Sequence, residues 1–170
     1  QPVIAVVWDP TKHASLIGQG SAVFLQGGTL AELPRMLDRF RQPELAGVAV
    51  FAHIDLISGL ENSEAGLEFL AELGRLAGVV TIHHHLAKPA RRLGLLSIIR
   101  LFLSDSRSVE RGQGIAEKSQ ADAIEILPAA AADRRPCCLC SNQTEILFQK
   151  RKLPLTQTRT AKMPAPYFSM

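Results

Sequence analysis

The sequence predicts an α/β fold in which a parallel sheet is covered by helices. Three observations carry this. Apolar runs rich in Val, Ile and Leu recur along the first three quarters of the chain, a helical pattern lies between most of them, and their starts are about 24 residues apart, the size of one strand plus one helix. Runs that are apolar at almost every position belong to strands buried on both faces, which is the situation of a parallel sheet. A (β/α) barrel and an open doubly wound sheet both satisfy the pattern.

The predicted strands are PVIAVV (2–7), SAVFLQ (21–26), GVAVFAHIDL (47–56), GVVTI (78–82), LLSIIRLFL (95–103) and DAIEILP (122–128). Thr29 with Glu32 fits a capping box opening LAELPRMLDRF, where Leu30, Leu33, Leu37 and Phe40 form a stripe at helical spacing. Pro34 lies inside that pattern and should weaken its first turns. NSEAGLEFLAELGRLAG starts at Asn62 or Ser63, packs Leu67, Leu70 and Leu73, and is expected to end near Gly78. LAKPARRLG ends with Gly94 as the residue past the helix terminus. Ser106 in SDSRSVERG has no G-x-S-x-G elbow around it and reads as a helix cap, not a nucleophile.

The 170 residues, 46% hydrophobic and 21% charged, suffice for one domain with a real core. No uncharged apolar run approaches a membrane span, and QPVIAVVWDP lacks the basic region and small-residue cleavage site of a signal peptide, so a cytoplasmic location and no membrane partner are expected. The first residue is Gln, as though a short start were missing. The net charge of +3 is unevenly placed: residues 1–132 hold 12 Lys+Arg against 14 Asp+Glu, while 133–170 hold 7 against 2. That tail also has all three cysteines and none of the 12 glycines, so two compositions meet near Ala132. Cys137, Cys138 and Cys140 have only C-x-C spacing without a companion pair, which favours surface thiols over a zinc site.

Ala49, Phe51, His53 and Asp55 share one face of the third run by its two-residue period, apolar first and polar at the C-terminal end. Ligands of parallel α/β folds bind at that end. Asp9, Thr81, His83, Arg100 and Glu125 fall late in or just after their own strands and would gather at the same mouth. For His53 and Asp55, a ligand-orienting or proton-handling pair and a buried, satisfied histidine remain equal alternatives. Arg100 and Glu125 either pair with each other or leave Arg100 facing a phosphate or carboxylate. Of His83, His84 and His85, only His83 is carried forward, because three consecutive residues on an extended chain cannot all point inward and no H-x-x-x-H spacing supports a metal. Lys88, Arg91 and Arg92 could touch a phosphate, but a solvated helix face is the favoured role. No dinucleotide or nucleoside-triphosphate fingerprint is present, and no cofactor is expected.

FAHIDLISGLENSEAGLEFL, GVVTI, LGLLSIIRLFLSDSRSVERG and QADAIEILP, in that order, resemble the glycerol-3-phosphate-responsive antiterminator family, whose likeness runs from about residue 2 to 132. The resemblance implies an incomplete TIM-type barrel of about six parallel βα units at residues 1–132. It implies a non-enzymatic regulator of glycerol catabolism genes that senses glycerol 3-phosphate as effector, binds an mRNA leader and lets transcription pass a terminator. Homo-oligomers are left open. The effector site would be His53, Asp55, Arg100 and Glu125 with His83, Asp55 suited to hydroxyls and Arg100 to the phosphate. The rival is a phosphosugar aldolase or isomerase barrel in which His53 or Glu125 moves protons. Family members commonly have Gly after I-E-I-L-P, but Ala129 follows Pro128 here. Residues 133–170 are therefore expected to be an irregular, basic, non-family tail produced by a reading-frame change or truncation, with strands seven and eight absent and two sheet edges open.

Overall fold

The computed structural model describes residues 4–127 and 145–148. The six expected strands are present as β1 (Ile4–Val7), β2 (Ala22–Leu25), β3 (Ala49–His53), β4 (Gly78–Thr81), β5 (Leu96–Phe102) and β6 (Ala123–Leu127). Each pairs in parallel with the next in sequence, and the sheet curls into an incomplete TIM-like half-barrel. A further strand, β7 (Glu145–Phe148), continues the ladder in parallel beside β6. This corrects the expected absence of a seventh strand. The segment EILF has the β-prone composition an open parallel edge recruits, and the glycine and charge contrast of the surrounding residues conceals so short a run. The three cysteines lie outside the described residues.

Both faces of the sheet are buried, as the continuous apolar runs require. The concave face carries Ile4, Ala22, Phe24, Phe51, Val80, Ile98 and Ala123 in one cluster, with the Phe24 and Phe51 rings edge to face at 5.6 Å. The convex face packs Val23, Leu25, Val50, Ala52 and Val79 against the helices. At the start of β4 a side chain is impossible: a Cβ on Gly78 would run into the Leu96 carbonyl, so glycine lets β4 and β5 approach.

The helices are α1 (Ala14–Ile17), α2 (Leu33–Asp38), α3 (Glu64–Leu73), α4 (Ala87–Arg92) and α5 (Ser106–Ser119). The capping box of Thr29 and Glu32 forms, with the Thr29 N–H donating to Glu32 Oε2 at 2.9 Å and the Glu32 N–H to Thr29 Oγ1 at 3.3 Å. It closes the turn before α2, and Pro34 then sits in the first helical turn, where its missing N–H costs nothing. Ser63 caps α3 by accepting from the Gly66 N–H. Two expectations are corrected. α3 ends at Leu73 and not near Gly78, because Gly74 and Arg75 both take positive φ (64° and 76°) and turn the chain toward β4. Asp105, not Ser106, caps α5, accepting the Ser108 N–H at 2.7 Å while Ser108 Oγ accepts the Asp105 N–H at 3.0 Å.

Asp105→Ala is expected to lower stability by about 1 kcal/mol, and Ser106→Ala to stay within about 0.5 kcal/mol of the parent. Urea unfolding midpoints of the two variants measure this, and equal losses would restore the cap to Ser106.

Candidate functional site

β3, β4, β5 and β6 deliver their last residues to one edge of the half-barrel. His53 is the final residue of β3, and the chain leaves the strand there into a short 3-10 turn, Ile54–Leu56. Asp55 therefore does not continue the strand alternation expected of it. The turn aims its carboxylate sideways at the end of β4, where Oδ1 accepts the Thr81 hydroxyl at 2.8 Å and Oδ2 accepts the Ile82 N–H at 2.9 Å. Thr81 Oγ1 in turn accepts the His83 N–H at 3.0 Å. The imidazoles of two histidines flank the same carboxylate, His53 Nδ1 at 3.5 Å from Oδ2 and His83 Nε2 at 3.6 Å from Oδ1. The sequence reading missed the Ile82 amide, since a backbone donor leaves no signal in side-chain pattern.

Arg100 and Glu125 are register partners on β5 and β6 and point to the same concave face. They form a two-point pair, Arg100 Nε to Glu125 Oε2 at 2.6 Å and Nη2 to Oε1 at 3.2 Å, with side chains 8% and 2% exposed. Of the two alternatives left open, the mutual pair is the one present. Arginine has five N–H donors, so Glu125 fixes the guanidinium plane and leaves its other donors over.

His53 is the least conventional member. Its side chain is 3% exposed, yet neither ring nitrogen has a hydrogen-bond partner among the described residues. Burial pushes its pKa down to about 4, the Arg100 charge pushes in the same direction, and Asp55 opposes both. At neutral pH the ring is uncharged, with one nitrogen able to donate and the other to accept.

The other candidates lie apart. Asp9 caps the turn after β1 by accepting from the Thr11 N–H (2.9 Å) and hydroxyl (2.6 Å), bonds that lower its pKa. His84 and His85 are exposed, and Arg92 pairs with Glu64 at 2.9 Å. Among the described residues no group of three His, Cys, Asp or Glu is placed to hold a metal ion. The rim of the mouth is apolar and exposed, with Trp8 after β1, Leu56 after β3, Ile82 after β4 and Phe102 ending β5. Trp8 lies over Gly27, whose φ of 112° and missing Cβ leave room for the indole ring.

A family profile described as "Glycerol-3-phosphate responsive antiterminator" matches residues 3–146. The chain belongs to that family. The match passes Ala132 and reaches into β7, so it takes in part of the segment the sequence reading left outside. Among solved structures, a glycerol uptake operon antiterminator-related protein from Thermotoga maritima is 30% identical with a TM-score of 0.68, covering 78% of this chain and 73% of that one. The glycerol uptake operon antiterminator regulatory protein of Listeria monocytogenes shares the fold with a TM-score of 0.73 at 19% identity, covering 91% of this chain and 82% of that one. At the level of fold alone, 3-dehydroquinate dehydratase of Geobacillus kaustophilus is also similar (TM-score 0.57, 10% identity, 88% and 74% covered). The Escherichia coli protein YgcP, described as uncharacterized, is 29% identical over 128 residues, 75% of this chain, which thus spans 65% of that relative's length. Family and neighbours together support a regulator of the antiterminator type.

The lowered pKa of His53 makes stability depend on pH in a defined direction. The unfolded chain binds a proton near pH 6.5 and the folded one only near pH 4, so this residue destabilises the fold as pH falls through that window and has no effect above it. The expected loss is about 2 kcal/mol between pH 7 and pH 5, absent in His53→Gln, read from urea unfolding at each pH. Parallel curves for the two proteins would show that the ring is not held neutral. Glu125→Ala, which strands Arg100 without its partner, is expected to cost about 3–5 kcal/mol in the same assay.

Proposed function

We propose that this chain is a glycerol-3-phosphate-sensing antiterminator that binds the leader of a glycerol-catabolic mRNA in the cytoplasm, and that His53, Asp55, Arg100 and Glu125 with His83 form its effector site. One observation carries the reading: a buried, uncharged imidazole with both nitrogens unused stands between an anchored carboxylate and an anchored guanidinium at the C-terminal mouth. Buried polar groups are otherwise hydrogen-bonded, and an unpaired one costs about 1–3 kcal/mol. A polyol phosphate supplies what is lacking.

In the proposed complex the effector's hydroxyls take the two His53 positions and the unused lone pairs of Asp55, and its phosphate takes the Arg100 donors that Glu125 leaves over. Glu125 keeps the guanidinium oriented and offsets its charge before the ligand arrives. No bond is made or broken. The effector acts by binding the RNA-competent arrangement more tightly than the other, and each tenfold difference in affinity shifts that equilibrium by about 1.4 kcal/mol.

Thermal unfolding of the full chain with glycerol 3-phosphate, glycerol or inorganic phosphate tests this. Glycerol 3-phosphate at 100 times its dissociation constant is expected to stabilise by about 2.7 kcal/mol, the two fragments by far less, and His53→Ala to abolish the difference. Equal effects of all three compounds would refute a polyol phosphate site. Turnover of a phosphorylated three-carbon compound, lost in His53→Ala, would refute the regulatory reading in favour of an enzyme.

A further inference from the structure

Charge on the convex side is sorted by helix. α3 carries Glu64, Glu68 and Glu72 and no cation, while the segment from His83 through α4 carries three histidines, Lys88, Arg91 and Arg92 and no acid. The two helices meet, and Arg92 is spent at the joint on Glu64. Lys88 and Arg91 are exposed and have no carboxylate partner among the described residues. They lie three apart, and His84 lies four before Lys88, so the three share one side of the segment. His84 and His85 hold their exposed rings edge to face at 6.3 Å. Residues 1–132 otherwise have more acids than bases, which makes this cation cluster a local reversal of sign.

The segment starts at the effector site. Asp55 Oδ2 takes the Ile82 N–H, and its Oδ1 holds Thr81, whose hydroxyl oxygen holds the His83 N–H. Asp55 thus pins the corner from which the basic segment departs. A ligand that draws on the Asp55 oxygens acts directly on that corner.

We propose that the exposed face of His84, His85, Lys88 and Arg91 is the surface that binds RNA, the two cations on phosphates and the imidazole rings against unpaired bases. This rests on the antiterminator reading above and gives its partner a place. Two exposed cations without acidic partners match a polyanion, and histidine rings beside them match single-stranded or looped RNA, whose splayed bases stack on such side chains. An acidic protein would use the cations and leave the rings without a role.

The experiment is a fluorescence anisotropy titration of the full chain, with glycerol 3-phosphate present, against a labelled stem-loop RNA followed by a uridine run. Lys88→Ala/Arg91→Ala is compared with Arg35→Ala/Arg41→Ala, which removes the same charge from exposed positions on and after α2. The first pair is expected to weaken binding about tenfold or more and to flatten the salt dependence of log K by about 1.4, the value for two single-strand phosphate contacts, and the second to do neither. Its thermal shift with glycerol 3-phosphate is expected to persist; loss of that shift together with RNA binding would place the face in the effector site or the fold and overturn the proposal. Equal weakening by both pairs would reduce the effect to net charge and overturn it, as would competition by polyglutamate as strong as by unlabelled RNA. RNA binding unchanged in Lys88→Ala/Arg91→Ala would overturn the assignment of this face and leave the antiterminator reading standing. A parent chain that binds no RNA, with or without glycerol 3-phosphate, would overturn both.

Discussion

Every strand from β1 to β7 pairs in parallel with the one next to it in sequence, and that ladder governs the rest of the molecule. A parallel connection must cross the full height of the sheet, so a covering segment follows each strand from β1 to β5 and the strand ends point to one edge. The covering helices bury the convex face, and the curl of the sheet gathers the concave side chains into their own cluster. Apart from Ser97 near the start of β5, which is satisfied by Asp122, the polar residues of β1–β6 lie toward the C-terminal edge. Arg100 and Glu125 are level with each other on β5 and β6, and His53 ends β3 two residues short of that level through Val80 and Ile98, on the same concave face.

Burying an arginine beside a histidine has a cost that the site distributes. The Glu125 carboxylate meets Arg100 at two points, so the pair is close to electrically neutral. The loss of water at His53, and after it the Arg100 charge, lower its pKa so that the ring gives up its proton. Asp55 would favour the protonated ring, but its oxygens are already engaged with Thr81 and Ile82, and 3.5 Å from Nδ1 is too far for a good hydrogen bond. Two fixed charges therefore frame a neutral ring with a free donor and a free acceptor. Such a frame fits hydroxyl groups better than it fits an acid–base step at neutral pH, for which a pKa near 4 is poorly matched.

Much of this was legible in the sequence, and what was not has identifiable causes. The strands declared themselves because burial on both faces demands apolar residues at nearly every position, and the polar interruptions His53, Arg100 and Glu125 stood out for the same reason. The family likeness rested on these same interruptions and their spacing. The fate of Asp55 was hidden: the two-residue period holds only while the chain remains extended, and the strand ends one residue after Ala52, at His53. Whether Arg100 would face Glu125 or a ligand depends on inter-strand register, which no single strand encodes. The end of α3 was misplaced because Gly74 was passed over in favour of Gly78, and only the backbone shows that Gly74 turns the chain while Gly78 admits a neighbouring strand. β7 was overlooked because four residues of β-prone sequence are too short to register against a contrast of composition.

If the mouth binds the proposed effector, the arrangement around Asp55 gives it a point of action that leaves the barrel in place. β4 is buried on both faces and locked to β3 and β5, so it has little freedom to transmit anything. The corner beyond it is different, since Ile82 is exposed and its N–H is held by a carboxylate from another strand's turn. A ligand competing for that carboxylate changes the balance of hydrogen bonds at the corner and leaves the ladder intact. On the proposed reading, an effector's influence is then confined to where parallel strands give way to their crossovers, the edge at which His53, Asp55, Arg100 and Glu125 gather. The constraint that places the site also places the element it can bias.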